Sequence, residues 1–183
     1  MQIFQPLEPA DFALVEGKQP KKEELYSFCG KYETKIKGSC WSEGWPLYRE
    51  EITTPSGLVK YCSKVENSGQ RSRCFNGMFY IVTPLFNFEE KKLTDFCGKL
   101  PKNILSQCFA NAASRMIEVD WRFSEKAVTL CKDSAKFGGD EACFNELLVY
   151  STYNYHPGSE EFFNLCNSMP PVWREKCTKG YTQ

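Results

Sequence analysis

"FFNLCNSMPPVWREKC", residues 162 to 177, sets two cysteines eleven positions apart across a Met-Pro-Pro step. The same arrangement recurs upstream. The cysteines stand at Cys29, Cys40, Cys62, Cys74, Cys97, Cys108, Cys131, Cys143, Cys166 and Cys177, and the steps within successive pairs are 11, 12, 11, 12 and 11. First members recur every 33 to 35 residues and second members every 34 or 35. A fixed period of that length marks a repeat array. The chain reads as five copies of one unit, near 23–54, 55–88, 89–123, 124–158 and 159–183, forming a single helical-repeat domain over 23–183.

The copies agree beyond cysteine. Four positions before each first cysteine stand Leu25, Leu58, Leu93, Ala127 and Phe162; one position before stand Phe28, Tyr61, Phe96, Leu130 and Leu165. Three positions after come Tyr32, Val65, Leu100, Ser134 and Met169. That spacing traces one face of a helix, with Ser134 the exception. Directly after the second cysteine come Trp41, Phe75, Phe109 and Phe144, whereas the fifth copy has Thr178. A second, longer helix is expected to start near each second cysteine. The stretches "KIKGS", "ENSGQ", "KLPKN", "KFGGD" and "SMPP" separate the two helices with residues that break them. Ser124 and Ser159 precede Glu-rich helix starts as expected N-caps.

What the cysteines do follows from what each role requires. Structural zinc wants ligands two to four residues apart, and thioredoxin-like or haem sites want Cys-x-x-Cys. Neither spacing occurs, His156 is the only histidine, and each helix carries one cysteine, which also weakens a thiolate-lined copper store. No metal ligand set and no cofactor is expected. Residues eleven or twelve apart on antiparallel helices joined by a short turn can bring their Cα atoms within the about 4.4–6.8 Å a disulfide needs. The expected pairs are Cys29 with Cys40, Cys62 with Cys74, Cys97 with Cys108, Cys131 with Cys143 and Cys166 with Cys177. Disulfides persist in oxidising compartments, so an extracytoplasmic location is expected, whether secreted, periplasmic or cell-surface. Buried free cysteines in a cytosolic repeat protein are the remaining alternative.

Fold class and bounds follow. The expected architecture is all-α, an α-solenoid of five disulfide-stapled helical hairpins with a period of about 34 residues. The 183 residues carry 23 basic and 23 acidic side chains and a formal net charge of zero, so nothing draws the chain globally toward nucleic acid. Its longest apolar runs, such as "GMFYIV" (77 to 82), are far short of the ~20 residues that span a bilayer, so no direct membrane insertion is expected. "MQIFQPLEP" has neither a basic nor an apolar signal region, so any export signal would have been removed ahead of this numbering or replaced by its Met.

The pattern resembles tetratricopeptide-like helical-repeat proteins, and among them cysteine-rich arrays in which one disulfide closes each two-helix repeat. The likeness covers residues 25–177 and rests on the period and the paired cysteines; the Trp, Leu-Gly and Tyr signature of the first tetratricopeptide helix is absent. What the resemblance implies is a scaffold that binds other proteins or peptides.

No other motif carries chemistry. The chain has no nucleophile elbow, phosphate loop, dinucleotide fingerprint or His-Glu-x-x-His helix. Its carboxylate pairs, such as Glu50 with Glu51 and Glu160 with Glu161, sit near expected helix starts, where they suit the positive dipole end. No catalytic residue is named, and the expectation is a non-enzyme. Aromatic residues are the best remaining lead, at 14 Phe, 9 Tyr and 4 Trp. Trp45, Tyr48, Trp121, Tyr150, Tyr153, Tyr155 and Trp173 fall off the core stripes and are the candidate partner-binding residues. The expected function is an extracytoplasmic binding or assembly module for a protein or peptide. The alternatives are a permanent structural subunit of a larger surface assembly and an enzyme acting on extracellular polymers. At the ends, residues 1–22 are expected to form an extended cap over the first hairpin. The last hairpin is expected to expose apolar surface around Phe162, Met169, Val172 and Trp173.

Overall fold

The apolar stripe on each first helix needs a partner, and the cysteine at its centre supplies one covalently. The computed structural model describes residues 20–32 and 34–179, and among these the only regular structure is helical. The α-helices are α1 (Leu25–Cys29), α2 (Thr34–Glu43), α3 (Arg49–Ile52), α4 (Pro55–Cys62), α5 (Ser68–Leu85), α6 (Glu90–Gly98), α7 (Lys102–Val119), α8 (Ser124–Ser134), α9 (Asp140–Asn154), α10 (Glu160–Ser168) and α11 (Pro171–Thr178). Single 3₁₀ turns span Trp45–Tyr48, Trp121–Phe123 and Ala135–Phe137.

Five bridges join Cys29 to Cys40, Cys62 to Cys74, Cys97 to Cys108, Cys131 to Cys143 and Cys166 to Cys177, with Cα–Cα distances from 5.3 to 5.7 Å. Each closes α1 on α2, α4 on α5, α6 on α7, α8 on α9 or α10 on α11. All ten cysteines are buried. A loop of this size contributes about 3 kcal/mol of stability in the chain-entropy account. That matters for helices as short as α1 or α11, which are marginal by themselves.

Packing between units is by kind. Second helices lie on second helices, α2 on α5, α5 on α7, α7 on α9 and α9 on α11, while α6, α8 and α10 pack in sequence on the other side. The two rows enclose one continuous core that includes Leu58, Phe79, Leu93, Phe109, Met116, Leu130, Leu147 and Leu165. Ser134, the polar break in the stripe, is fully buried and donates its hydroxyl to the Cys131 carbonyl at 2.7 Å, so it enters the core satisfied.

Several local expectations are corrected. The second helices begin ahead of the second cysteines, so that each such cysteine lies inside its helix. "KIKGS" is not a turn but part of α2, with Gly38 buried inside the helix. In the first unit the second helix stops at Glu43, and the 3₁₀ turn with Pro46 near its start redirects the chain into α3. Tyr32 is exposed, since α1 ends at Cys29 and the stripe has no helix to continue on. Ser159 caps α10, accepting from Phe162 N–H at 3.2 Å, but Ser124 does not cap α8. The 3₁₀ turn ahead of α8 takes Asp120 as its cap and leaves Ser124 buried, donating to the Trp121 carbonyl at 2.6 Å.

At the C-terminal hairpin Met169 is buried and Trp173 is half-buried, because Trp173 stacks on Phe144 with ring centroids 5.2 Å apart. Val172 is exposed as expected, at 66%; Phe162 is half-buried, and its neighbour Phe163 is exposed in its place, at 51%. Residues 1–19 of the expected cap lie outside the described residues.

Candidate partner-binding groove

A helical array exposes the segments that carry the chain from one unit to the next. The connectors after α7 and α9 are rich in aromatic and charged side chains, and the structure sets them side by side. The 3₁₀ turn Trp121–Phe123 touches α7, α8 and α10. Its orientation is fixed by Asp120, whose Oδ1 accepts from Arg122 N–H at 3.0 Å and from Arg122 Nε at 2.9 Å. Tyr155, at the end of α9, reaches back to donate its hydroxyl to the Ile117 carbonyl at 2.9 Å and meets Tyr150 edge-on at 5.6 Å. Between them opens a groove of about 710 Å³, walled by Ile117 to Arg122, Tyr150, Asn154 to His156, Ser159 and Glu161. That volume lies within the usual range for ligand sites, about 300–1,000 Å³.

Three of the seven aromatic candidates, Trp121, Tyr150 and Tyr155, therefore converge. The others do not. Tyr48 donates to the Lys22 carbonyl at 2.8 Å and packs on Trp41 and Tyr61, and Trp45 lies half-buried against the same core. Tyr153 projects alone at 82% exposure. Trp173 is held between Phe144 and the Lys176 ammonium, 4.2 Å above its ring.

The electrostatics of the groove are negative with its cations engaged. Arg122 holds the Asp120 carboxyl below its ordinary range by hydrogen bonding. Glu161 is also held low, by its own backbone N–H and then by Ser159. Burial raises Tyr150 to about 12, and the neighbouring Glu118 adds to the effect. Burial raises Tyr155 further, with Tyr150, Glu161 and Asp120 all opposing its ionisation. His156 is exposed, with Nδ1 2.8 Å from the Pro157 carbonyl oxygen.

The row of second helices carries polar contacts of its own, outside the groove lining. Tyr80 on α5 and Ser114 on α7 share a hydrogen bond at 3.2 Å, and Asn111 donates to Asn76 at 3.2 Å. Arg115 lies over the Tyr80 ring, 5.7 Å from its centroid, and pairs with Glu118 at 2.9 Å. Glu146, one turn before Tyr150 on α9, is half-buried and its carboxyl is raised by desolvation alone. These polar residues were not singled out from the sequence. One signal was available: Trp121 and His156 each stand ten positions before the first cysteine of the next unit, so an array of this period brings them to neighbouring places.

Among the described residues no group of three or more His, Cys, Asp or Glu is placed to hold a metal ion, and no helix is long and apolar enough to cross a membrane. Comparison with known protein families, with curated protein sequences and with solved structures finds no match to this chain.

Proposed function

We propose that this chain is an extracytoplasmic, non-enzymatic protein-binding or assembly module, an α-solenoid of five disulfide-stapled hairpins with a tetratricopeptide-like plan. The convergence of Trp121, Tyr150 and Tyr155 in one groove carries the binding assignment. Rigid amphipathic rings beside polar groups are the composition of interface hot spots. The location rests on the five bridges, which reducing compartments do not maintain. The pairing of second helices along one row supports the solenoid reading, since each unit then packs on the next.

A displayed library of random peptides, selected on the oxidised chain, tests the role. Enriched peptides should lose most of their binding to Trp121→Ala and keep it against Tyr153→Ala. Failure to enrich, or peptides indifferent to Trp121, would overturn it.

Two other readings have one observation each. Exposed Val172 and Phe163 on the last hairpin favour a permanent subunit, which would self-associate when isolated, whereas the module should sediment as a monomer. The groove also gathers Glu118, Asp120, Glu161 and His156, the raw material of a hydrolase. General acid–base work wants one carboxyl raised beside one ionised. Within the groove Asp120 and Glu161 are both held low, which supports binding over catalysis.

A further inference from the structure

The three aromatic walls of the groove differ in what their polar tips are doing. The Tyr155 hydroxyl is spent on the Ile117 carbonyl at 2.9 Å, so that ring offers the groove only its apolar body. The Trp121 indole N–H and the Tyr150 hydroxyl have no hydrogen-bond partner in the chain, and neither atom is sealed from solvent. Burial raises Tyr150 to about 12, which keeps its hydroxyl a donor at neutral pH. Trp121 stacks on neither tyrosine, whereas Tyr150 and Tyr155 meet edge-on at 5.6 Å, so the indole and the tyrosine pair are separate walls of one groove. Acceptors stand beside them: Asn154, whose Nδ2 donates to the Tyr150 carbonyl at 2.9 Å and whose Oδ1 has no partner, and the Glu161 carboxylate.

Rings with donor tips along an open groove match one peptide conformation closely. A polyproline II segment makes no internal hydrogen bonds, so its carbonyls stand outward along its length and need donors. Its pyrrolidine rings present apolar faces that aromatic side chains cover, and its fixed φ leaves little conformational entropy to lose on docking. Addition of a peptide as a strand needs a sheet edge, and the described residues form helices only. We infer that this groove receives a proline-rich segment of a partner protein in the polyproline II conformation, with Trp121, Tyr150 and Tyr155 packing on its rings and the Trp121 indole N–H and Tyr150 hydroxyl donating to its main-chain carbonyls. N–H groups at its non-proline positions meet Asn154 and Glu161. This rests on the peptide-binding role proposed above and names the chemistry of its partner. No single hairpin makes the site, since Trp121 comes from the connector after α7, Tyr150 from α9 and Glu161 from the first turn of α10.

The test titrates the oxidised, isotopically labelled chain with L-decaproline, D-decaproline, an alternating Ala-Gly decapeptide and cellohexaose. D-decaproline has the same composition and the opposite hand, and cellohexaose is a polar ligand that also stacks on aromatic rings. NMR signals of the Trp121 indole N–H and of the Tyr150 and Tyr155 rings are the readout. L-decaproline alone should give saturable shifts at all three, with the indole proton moving downfield as it gains an acceptor. Trp121→Phe, which keeps a ring and loses the donor, and Tyr150→Phe should each lower its affinity by about threefold or more, with the five bridges and the thermal midpoint retained. Tyr153→Ala should leave it unchanged. Equal binding of D-decaproline or the Ala-Gly peptide, stronger binding of cellohexaose, no saturable response to L-decaproline up to about 5 mM, or affinity indifferent to both Phe variants would overturn the inference. Trp121-dependent peptides from the displayed library that carry no proline would overturn it while leaving the binding role standing. Absence of any Trp121-dependent peptide would remove both.

Discussion

At the scale of single residues, the aromatic positions of the first two units show how a core stripe acquires a polar lock. Trp41 follows the second cysteine of one unit and Tyr61 precedes the first cysteine of the next. Their rings stack at 4.9 Å, Trp41 Nε1 donates to the Tyr61 carbonyl at 2.9 Å, and the Tyr61 hydroxyl donates to the Trp41 carbonyl. Burial drives the Tyr61 hydroxyl far above its usual range, so it is a permanent donor. Tyr61→Phe removes one of two bonds to the Trp41 carbonyl, which keeps the Gly44 N–H at 3.1 Å, and should lower stability by about 0.5–1.5 kcal/mol in denaturant unfolding, with little change in helix content.

Glu146 makes the opposite point. Its folded carboxyl lies above the unfolded value, so the fold's preference for the neutral form is fully present below the ordinary carboxylate range near pH ~4.3 and lost as pH rises through the raised value. Glu146→Gln should therefore be more stable than the parent at pH 7, with the difference shrinking as acid is added. Equal midpoints at neutral pH would remove the reason for calling this carboxylate an unpaired one. The apolar stripe positions were legible because burial follows helical period. Glu146 was not, since one carboxylate on a helix reads the same whether it faces water or lies half-buried.

At the scale of elements, the cysteine spacing carried the hairpins, and local propensity misled where tertiary contact decides. Gly38 reads as a turn residue and Gly57 as part of a connector, yet Gly38 lies inside α2 and Gly57 inside α4, the latter at a close backbone approach. A Cβ on Gly57 would stand 2.2 Å from the Glu51 backbone oxygen, where α3 crosses the start of α4. Helix propensity alone predicts that Gly57→Ala stabilises by about 1 kcal/mol. The contact predicts a loss of about 1–3 kcal/mol instead, readable as a lower urea midpoint. Serine caps were half legible for the same kind of reason. Ser159 precedes α10 directly, whereas the 3₁₀ turn of Trp121 to Phe123, invisible in pattern, moves the cap from Ser124 to Asp120. That turn also carries Trp121, which lines the groove with Tyr150 and Tyr155.

At the scale of the molecule, the period and the paired cysteines imply units that contact their neighbours, and the two rows of helices bear out that each unit packs on the next. Because every bridge is local, removing one should have a local effect. Replacing Cys97 and Cys108 together by Ala should reduce stability by about 2–5 kcal/mol and raise amide exchange mainly in α6 and α7, with α10 and α11 still protected. Uniform loss of protection across all hairpins would mean an indivisible core. The groove is lined from three successive units, so the fold and the proposed location and binding role all depend on the same covalent plan. Non-reducing digestion of the purified chain followed by mass spectrometry of the linked peptides reads that plan directly. The account predicts five linked pairs, each confined to one hairpin: Cys29 with Cys40, Cys62 with Cys74, Cys97 with Cys108, Cys131 with Cys143 and Cys166 with Cys177. Free thiols at these positions, or any bridge joining two different hairpins, would contradict it.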